Sequence, residues 1–178
     1  MSGPLPSEGM SPVRFPSDDD VERMAEAVHE RYLRDAATST PDHPAAVEWS
    51  RLDAGRRAQN RDQVRDLVVR LGEEGFAVVP AEDAPSGRRL DELPDDLVER
   101  MARTEHDRWA GRKRAQGYRY GPEVSDDPDD RRHPDLVPWS DLAEEVRDKD
   151  RLPVRDLPRV LGVAGWVVLG APRRTQDD

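Results

Sequence analysis

The chain has 178 residues, 35% of them hydrophobic and 37% charged, so the apolar supply is thin and any core must be small and compact. Its 38 acidic side chains outnumber 28 Lys and Arg, for a net charge of -10, which argues against sequence-independent binding to a nucleic-acid backbone. Cysteine is absent, which excludes disulfides, thiolate metal sites and cysteine nucleophiles together and fits a reducing, cytoplasmic setting.

Residues 1–16, MSGPLPSEGMSPVRFP, have neither the cationic start nor the apolar run of a secretory signal, and read as a disordered tail. No stretch reaches the roughly 18 consecutive apolar residues of a membrane span, so a soluble protein is expected. A helix is expected next, capped by Ser17 or one of the aspartates after it. Its string VERMAEAVHERY, from Val21 to Tyr32, places Val21, Met24, Ala25, Val28 and Tyr32 on one stripe.

After a loop containing His43-Pro44 and Trp49-Ser50, a second helix is predicted through QNRDQVRDLVVRLGEE, ended by Gly75 and followed by the short strand FAVVP. Residues 81–93 read as a linker by composition. Pro94 with Asp95 and Asp96 then suits the first turn of another helix, whose string VERMARTEHDRW runs from Val98 to Trp109. Here the pattern begins again: the two strings match at a shift of 77, pairing His29 with His106 and Tyr32 with Trp109. At a shift of 90, residues 43–79 lie without a gap on residues 133–169, with 16 of 37 positions identical, among them Trp49 with Trp139 and Arg61 with Arg151. The second copy adds GYRYGPEVSDDPDDRR, and its own second helix is interrupted by Pro153 and Pro158. Two copies of one helix-loop-helix-strand unit, residues 17–80 and 94–170, are therefore expected about a pseudo-two-fold axis, with a short tail over 171–178. The fold class is α+β, mainly α, and the expected state is a monomer with internal pseudo-symmetry.

The second copy, with EHDRW, GYRYGP, an acidic loop, RRHPDLVPWSDL and a helix ending in AGW, resembles the RyR domain, the repeat unit named after ryanodine receptors. The first copy keeps HxxY, HPxxxxW and the last helix but lacks GYRYGP, so the chain is similar to a tandem pair with one degenerate repeat of bacterial type. That resemblance implies a clamp that binds an adenine nucleotide, or a related nucleotide-derived signal, between aromatic side chains in the cleft between the two repeats, which Tyr32 and Trp109 would face from either side. It also implies a non-catalytic sensor that passes its signal to a protein partner. The alternative is an interaction scaffold without a small-molecule ligand.

The residues suit the first implication. Tyr32 and Trp109 are candidates to stack on a purine, with His29 and His106 one turn earlier able to bond a base edge or a ribose hydroxyl. Phosphates need cations, and those repeated at matched positions are the candidates: Arg61 and Arg151, with Arg147, the partner of Arg57, one turn earlier. Asn60 faces the same role in the first copy, where the second has Asp150. Set against these roles is simple packing, which is the usual work of an aromatic stripe. Tyr118 and Tyr120 read as packing residues, Trp49 and Trp139 as core, and His43 and His133 as loop fasteners.

An enzyme is the third class. His106-Asp107 resembles the metal pair of HD phosphohydrolases, and Asp126, Asp127, Asp129 and Asp130 offer more carboxylates, but four histidines paired by repetition lack ligand spacing. The DDPDD run lacks the central glycine of a calcium loop, and there is no GxxxxGKS, GxSxG or GxGxxG motif. No metal, cofactor or catalytic residue is expected.

Overall fold

The computed structural model describes residues 15–39 and 45–170, which therefore leaves out His43 and the expected C-terminal tail. The described residues form two compact units. One holds the residues up to Asp91 together with those from Val160 onward, and the other runs from Glu92 to Arg159.

In the first unit, α1 (Asp18–Ser39) begins where Ser17 predicts. The Ser17 Oγ accepts from the Asp20 amide at 3.2 Å, while the Asp20 carboxylate accepts from the Ser17 amide at 3.0 Å, a reciprocal cap that satisfies two orphan donors. Val21, Met24 and Ala25 are buried along the predicted stripe. Against it lies α2 (Ala54–Glu73), capped by Asp53, whose carboxylate accepts from the Arg56 amide at 2.9 Å. Val64, Leu67, Val68 and Leu71 of α2 complete this core. The helix ends at Gly75, whose φ of 84° no side chain adopts cheaply; the Phe76 amide closes back on the Leu71 carbonyl at 2.9 Å.

The unit's sheet has the order β1-β5-β2, with β1 (Ala77–Pro80) and β2 (Arg89–Leu90) both antiparallel to β5 (Trp166–Leu169). All four residues of β5 are buried, as befits a central strand. In its register with β1, Val78 stands opposite Val168, the two residues related by the 90-residue shift, with Ala77 opposite Leu169 on one side and Val79 opposite Val167 on the other. Two findings qualify the sequence reading. Residues 81–93 are more than a linker: they contain a 3-10 turn at Ala81–Asp83 and the strand β2, too short to carry any periodic signature. The last strand of the second sequence copy is also grouped with the first unit, because its backbone partners are there.

In the second unit, α3 (Asp95–Ala115) follows Pro94 with Asp95 and Asp96 in its first turn and Arg112, Lys113 and Arg114 in its last, each sign placed to oppose the helix dipole. Leu97, Val98, Met101 and Ala102 are buried, and α4 (Glu144–Arg155) packs alongside. Pro153 lies inside α4, and the helical path breaks at Asp156 before α5 (Leu157–Gly162). The first copy has Gln63 and Val68 where Pro153 and Pro158 stand, and its helix is continuous. The inserted segment makes a parallel pair of two-residue strands, β3 (Arg119–Tyr120) and β4 (Arg132–His133). Gly121 is required there, because a Cβ would come within 2.6 Å of Arg132 Cδ. Among the described residues no helix is long and apolar enough to cross a membrane.

The mixed, mainly helical class expected from the sequence is what the structure has.

Candidate functional site

The paired histidines stand at the centre of one geometry that occurs once in each unit. His29, on the buried face of α1, is 3% exposed, and its Nε2 lies 2.7 Å from the Val47 carbonyl oxygen. A carbonyl only accepts, so Nε2 carries a proton and donates it. The ring sits 5.9 Å from that of Tyr32 and 5.8 Å from that of Trp49. On α3, His106 is 2% exposed, its Nε2 donates to the Val137 carbonyl at 2.9 Å, and its ring lies 5.6 Å from Trp109 and 5.8 Å from Trp139. Tyr32 and Trp109 are half-buried, each beside a buried histidine.

Below each histidine a glutamate joins the tryptophan to the repeated arginine. The Trp49 indole donates to Glu22 Oε1 at 3.1 Å and Arg61 to Glu22 Oε2 at 2.8 Å. The Trp139 indole likewise donates to Glu99 Oε1 at 2.8 Å and Arg151 to Glu99 Oε2 at 2.7 Å. Arg151 is held further by Glu144 and by Asp148 at 3.1 Å, and its guanidinium lies over the Trp139 ring. Arg147 donates to the Leu142 carbonyl at 3.2 Å and pairs with Glu144 at 3.5 Å. The arginines singled out as phosphate partners are thus bound to groups of their own unit. Glu22 and Glu99 escaped the sequence reading, although both stand in the repeated string VERM, where a carboxylate kept in both copies was the available signal.

Hydrogen bonds from Arg151, opposed by burial, hold the Glu99 carboxyl below its ordinary value of 4.5, and Arg61 does the same for Glu22. A depressed folded value means stability that is present above the unfolded pKa and lost as pH falls through the folded one. Glu99→Gln is therefore expected to melt lower than the parent at pH 7, with the gap narrowing as pH drops below about 4. Melting temperatures across that range check it; a constant gap contradicts the assignment.

His29, Tyr32 and Asn60 come together on the wall of one cavity of about 280 Å³ in the first unit, with Arg31, Arg56, Gln59 and Gln63 beside them. Arg61 is not among the lining residues. In the second unit the corresponding surroundings are filled differently. Trp109 meets the His133 ring edge-on at 4.9 Å, and Asp150 Oδ2 approaches His106 Nδ1 to 3.5 Å. Burial raises the Asp150 carboxyl above its ordinary value of 3.8, against the opposing pull of His106. His133 accepts the Asp135 amide through Nδ1 at 3.2 Å, the loop fastening expected of it; burial lowers its pKa and favours the neutral ring that can accept.

Tyr118 packs as expected, with Lys113 4.1 Å above its ring and its hydroxyl on Asp126 at 2.5 Å. Tyr120 does not: it is 61% exposed, since a sheet of two short strands has no second layer to cover both faces. Trp139 is core at 7% exposure, whereas Trp49 is only half-buried. His106 and Asp107 diverge, one buried and the other exposed, and among the described residues no group of three or more His, Asp or Glu is placed to hold a metal.

The order of parts from the α3 histidine through the β3–β4 insert to β5, with the strand β2 that precedes the second copy, is matched by a known family. Residues 85–169 match the RyR domain. This RyR segment contains His106, Trp109, Trp139, Asp150 and Arg151, so the whole second-unit constellation lies inside the family match. It also takes in β2 and β5, the two strands that pair in the sheet of the first unit.

Proposed function

We propose that the protein is a non-catalytic binding module for an adenine nucleotide or a nucleotide-derived signal, built from two copies of the RyR repeat of which the first is degenerate. The observation that carries this reading is the cavity of about 280 Å³ lined by His29, Tyr32 and Asn60. At the small end of ligand-binding pockets, it suits a base and its sugar, with phosphates projecting outward. Tyr32 supplies a flat face for the base, the histidine and the amides read its edge, and Arg31, with Arg56 paired to Asp53 beside it, brings positive charge for the phosphates. Trp109 is the corresponding face of the RyR segment. Arg61, Arg147 and Arg151 act in this reading as positioning residues, holding the glutamates, tryptophans and loops that frame the histidines.

The repeat itself is supported by the matched contacts of His29 with His106, Trp49 with Trp139 and Arg61 with Arg151. It is also supported by the placement of Val78 opposite Val168, which is where two equivalent strands meeting about a local two-fold would cross. A cytoplasmic setting fits the absence of cysteine.

A thermal-shift series with adenosine, ATP, ADP-ribose, cyclic dinucleotides and GTP tests the function. A ligand that binds the folded state alone stabilises by about 2.7 kcal/mol at a hundred times its Kd. Adenine compounds are expected to raise the melting temperature and to be recovered intact after incubation. No shift with any of them, confirmed by calorimetry, would return the protein to the scaffold alternative, and conversion of the nucleotide would make it an enzyme.

A further inference from the structure

The histidine sites of the two units differ in one substitution that changes what each accepts. In both, a backbone carbonyl takes the Nε2 hydrogen, which leaves Nδ1 as the ring atom open to a second partner. In the RyR segment the group nearest that atom is Asp150, 3.5 Å from His106 Nδ1 and on the helix that follows the Trp139 turn. Glu105 on α3 and Asp135 in the preceding loop also bear on Asp150, and both favour retention of a proton between carboxyl and imidazole. A hydrogen shared between Asp150 and Nδ1 thus fills that position from within the unit.

At the matched position the first unit has Asn60. Among the described residues nothing bonds His29 Nδ1, and His29 and Asn60 line the same cavity. Two further lining positions diverge: Gln59 and Gln63 stand where the RyR segment has Lys149 and Pro153, while Arg31 is matched by Arg108. One site carries its own partner beside the histidine, and its counterpart sets the amides of Asn60, Gln59 and Gln63 around His29, with Arg31 and Arg56 on the same wall.

We propose that Asp150 is a built-in occupant of the RyR segment's histidine site, and that the counterpart around His29 and Asn60 is the one left for an outside ligand. That ligand presents an N–H or O–H donor to His29 Nδ1 and, beside it, an acceptor for the Asn60 amide. A heteroaromatic ring with an exocyclic amine next to a ring nitrogen has this edge, and so does a primary carboxamide. A keto oxygen at the same point sets lone pair against lone pair. The inference rests on the nucleotide reading for its ligand and adds which unit binds, one site per chain, and the edge that is read.

The test installs the occupant where it is missing. Asn60→Asp is expected to give the His29 Nδ1 the 15N chemical shift and pH response of His106, and to weaken adenosine binding at least a hundredfold by calorimetry. The parent is expected to bind one adenosine per chain. If Asn60→Asp binds adenosine as the parent does, or leaves the His29 signal unmoved, the inference is overturned while the nucleotide reading stands. If the parent binds no adenosine but the His29 signal moves as expected, the nucleotide reading falls and the occupant stands. Should Asn60→Asp fail to fold, Asp150→Asn decides: its His106 Nδ1 signal is expected to move to the position of His29 in the parent, and an unmoved signal overturns the proposal.

Discussion

Trp139→Ala is expected to remove about 3–5 kcal/mol of stability, the usual cost of truncating a buried tryptophan. The side chain is 7% exposed and packs with Ala102, Leu142, Val137 and Val146, its indole N–H is held by Glu99, and Arg151 covers its ring. Truncation leaves a void and also frees Glu99 and the clustered charges around Arg151 from the surface that orders them. A unit spanning Glu92–Arg159 has little stability to spare at that scale, since domains of this size are marginal. Urea denaturation read by far-ultraviolet circular dichroism should show the loss as a displaced or separate transition. Trp49→Ala is the internal control: its side chain is only half-buried, so its loss is expected to be the smaller of the two. Equal losses would mean that the indole's bond to glutamate, common to both sites, outweighs burial.

Tyr32→Ala is expected to act on binding instead. Stacking on an aromatic ring contributes about 1–3 kcal/mol per base, so the variant should lose roughly tenfold to a hundredfold in adenosine affinity. Its stability cost should be smaller than that of Trp139→Ala, because Tyr32 is half-buried on the cavity wall. Tyr32→Phe keeps the ring face and should bind within a few-fold of the parent. If the phenylalanine variant fails as badly as the alanine one, the hydroxyl rather than the ring face carries the interaction. If neither changes affinity, the base lies elsewhere.

Much of this was legible because the chain writes its pattern twice. Ser17, Pro94 and Gly75 mark helix limits by local chemistry, and the structure keeps those limits. His29 and His106 fell out of the pairing of the two strings, and both prove to be buried ring donors to a loop carbonyl. What the arginines hold was not legible. Glu22 and Arg61 lie 39 residues apart, and Glu99 and Arg151 lie 52 apart, far beyond the one-turn spacing by which charge pairs are read along a helix. β2 was missed for a different reason, since two residues have no period. The exchange of Asn60 for Asp150 was visible as a difference between copies, but its meaning depends on which imidazole nitrogen is already taken.

The central place of β5 sets the order in which the protein can be completed during synthesis. β1 leaves the ribosome about ninety residues before the strand that must lie beside it, and β2 meets no neighbour in the sheet until that same strand arrives. From their own synthesis until β5 emerges, then, both carry bare backbone edges, exposed to chance pairing with other nascent chains. The helices α1 and α2 can associate early because their contacts are local, whereas the sheet closes last, over a long loop and correspondingly slowly. Val168, fully buried in the middle of β5, acts in this sense as the keystone: the first unit's sheet is finished only when one of the last described residues has been made.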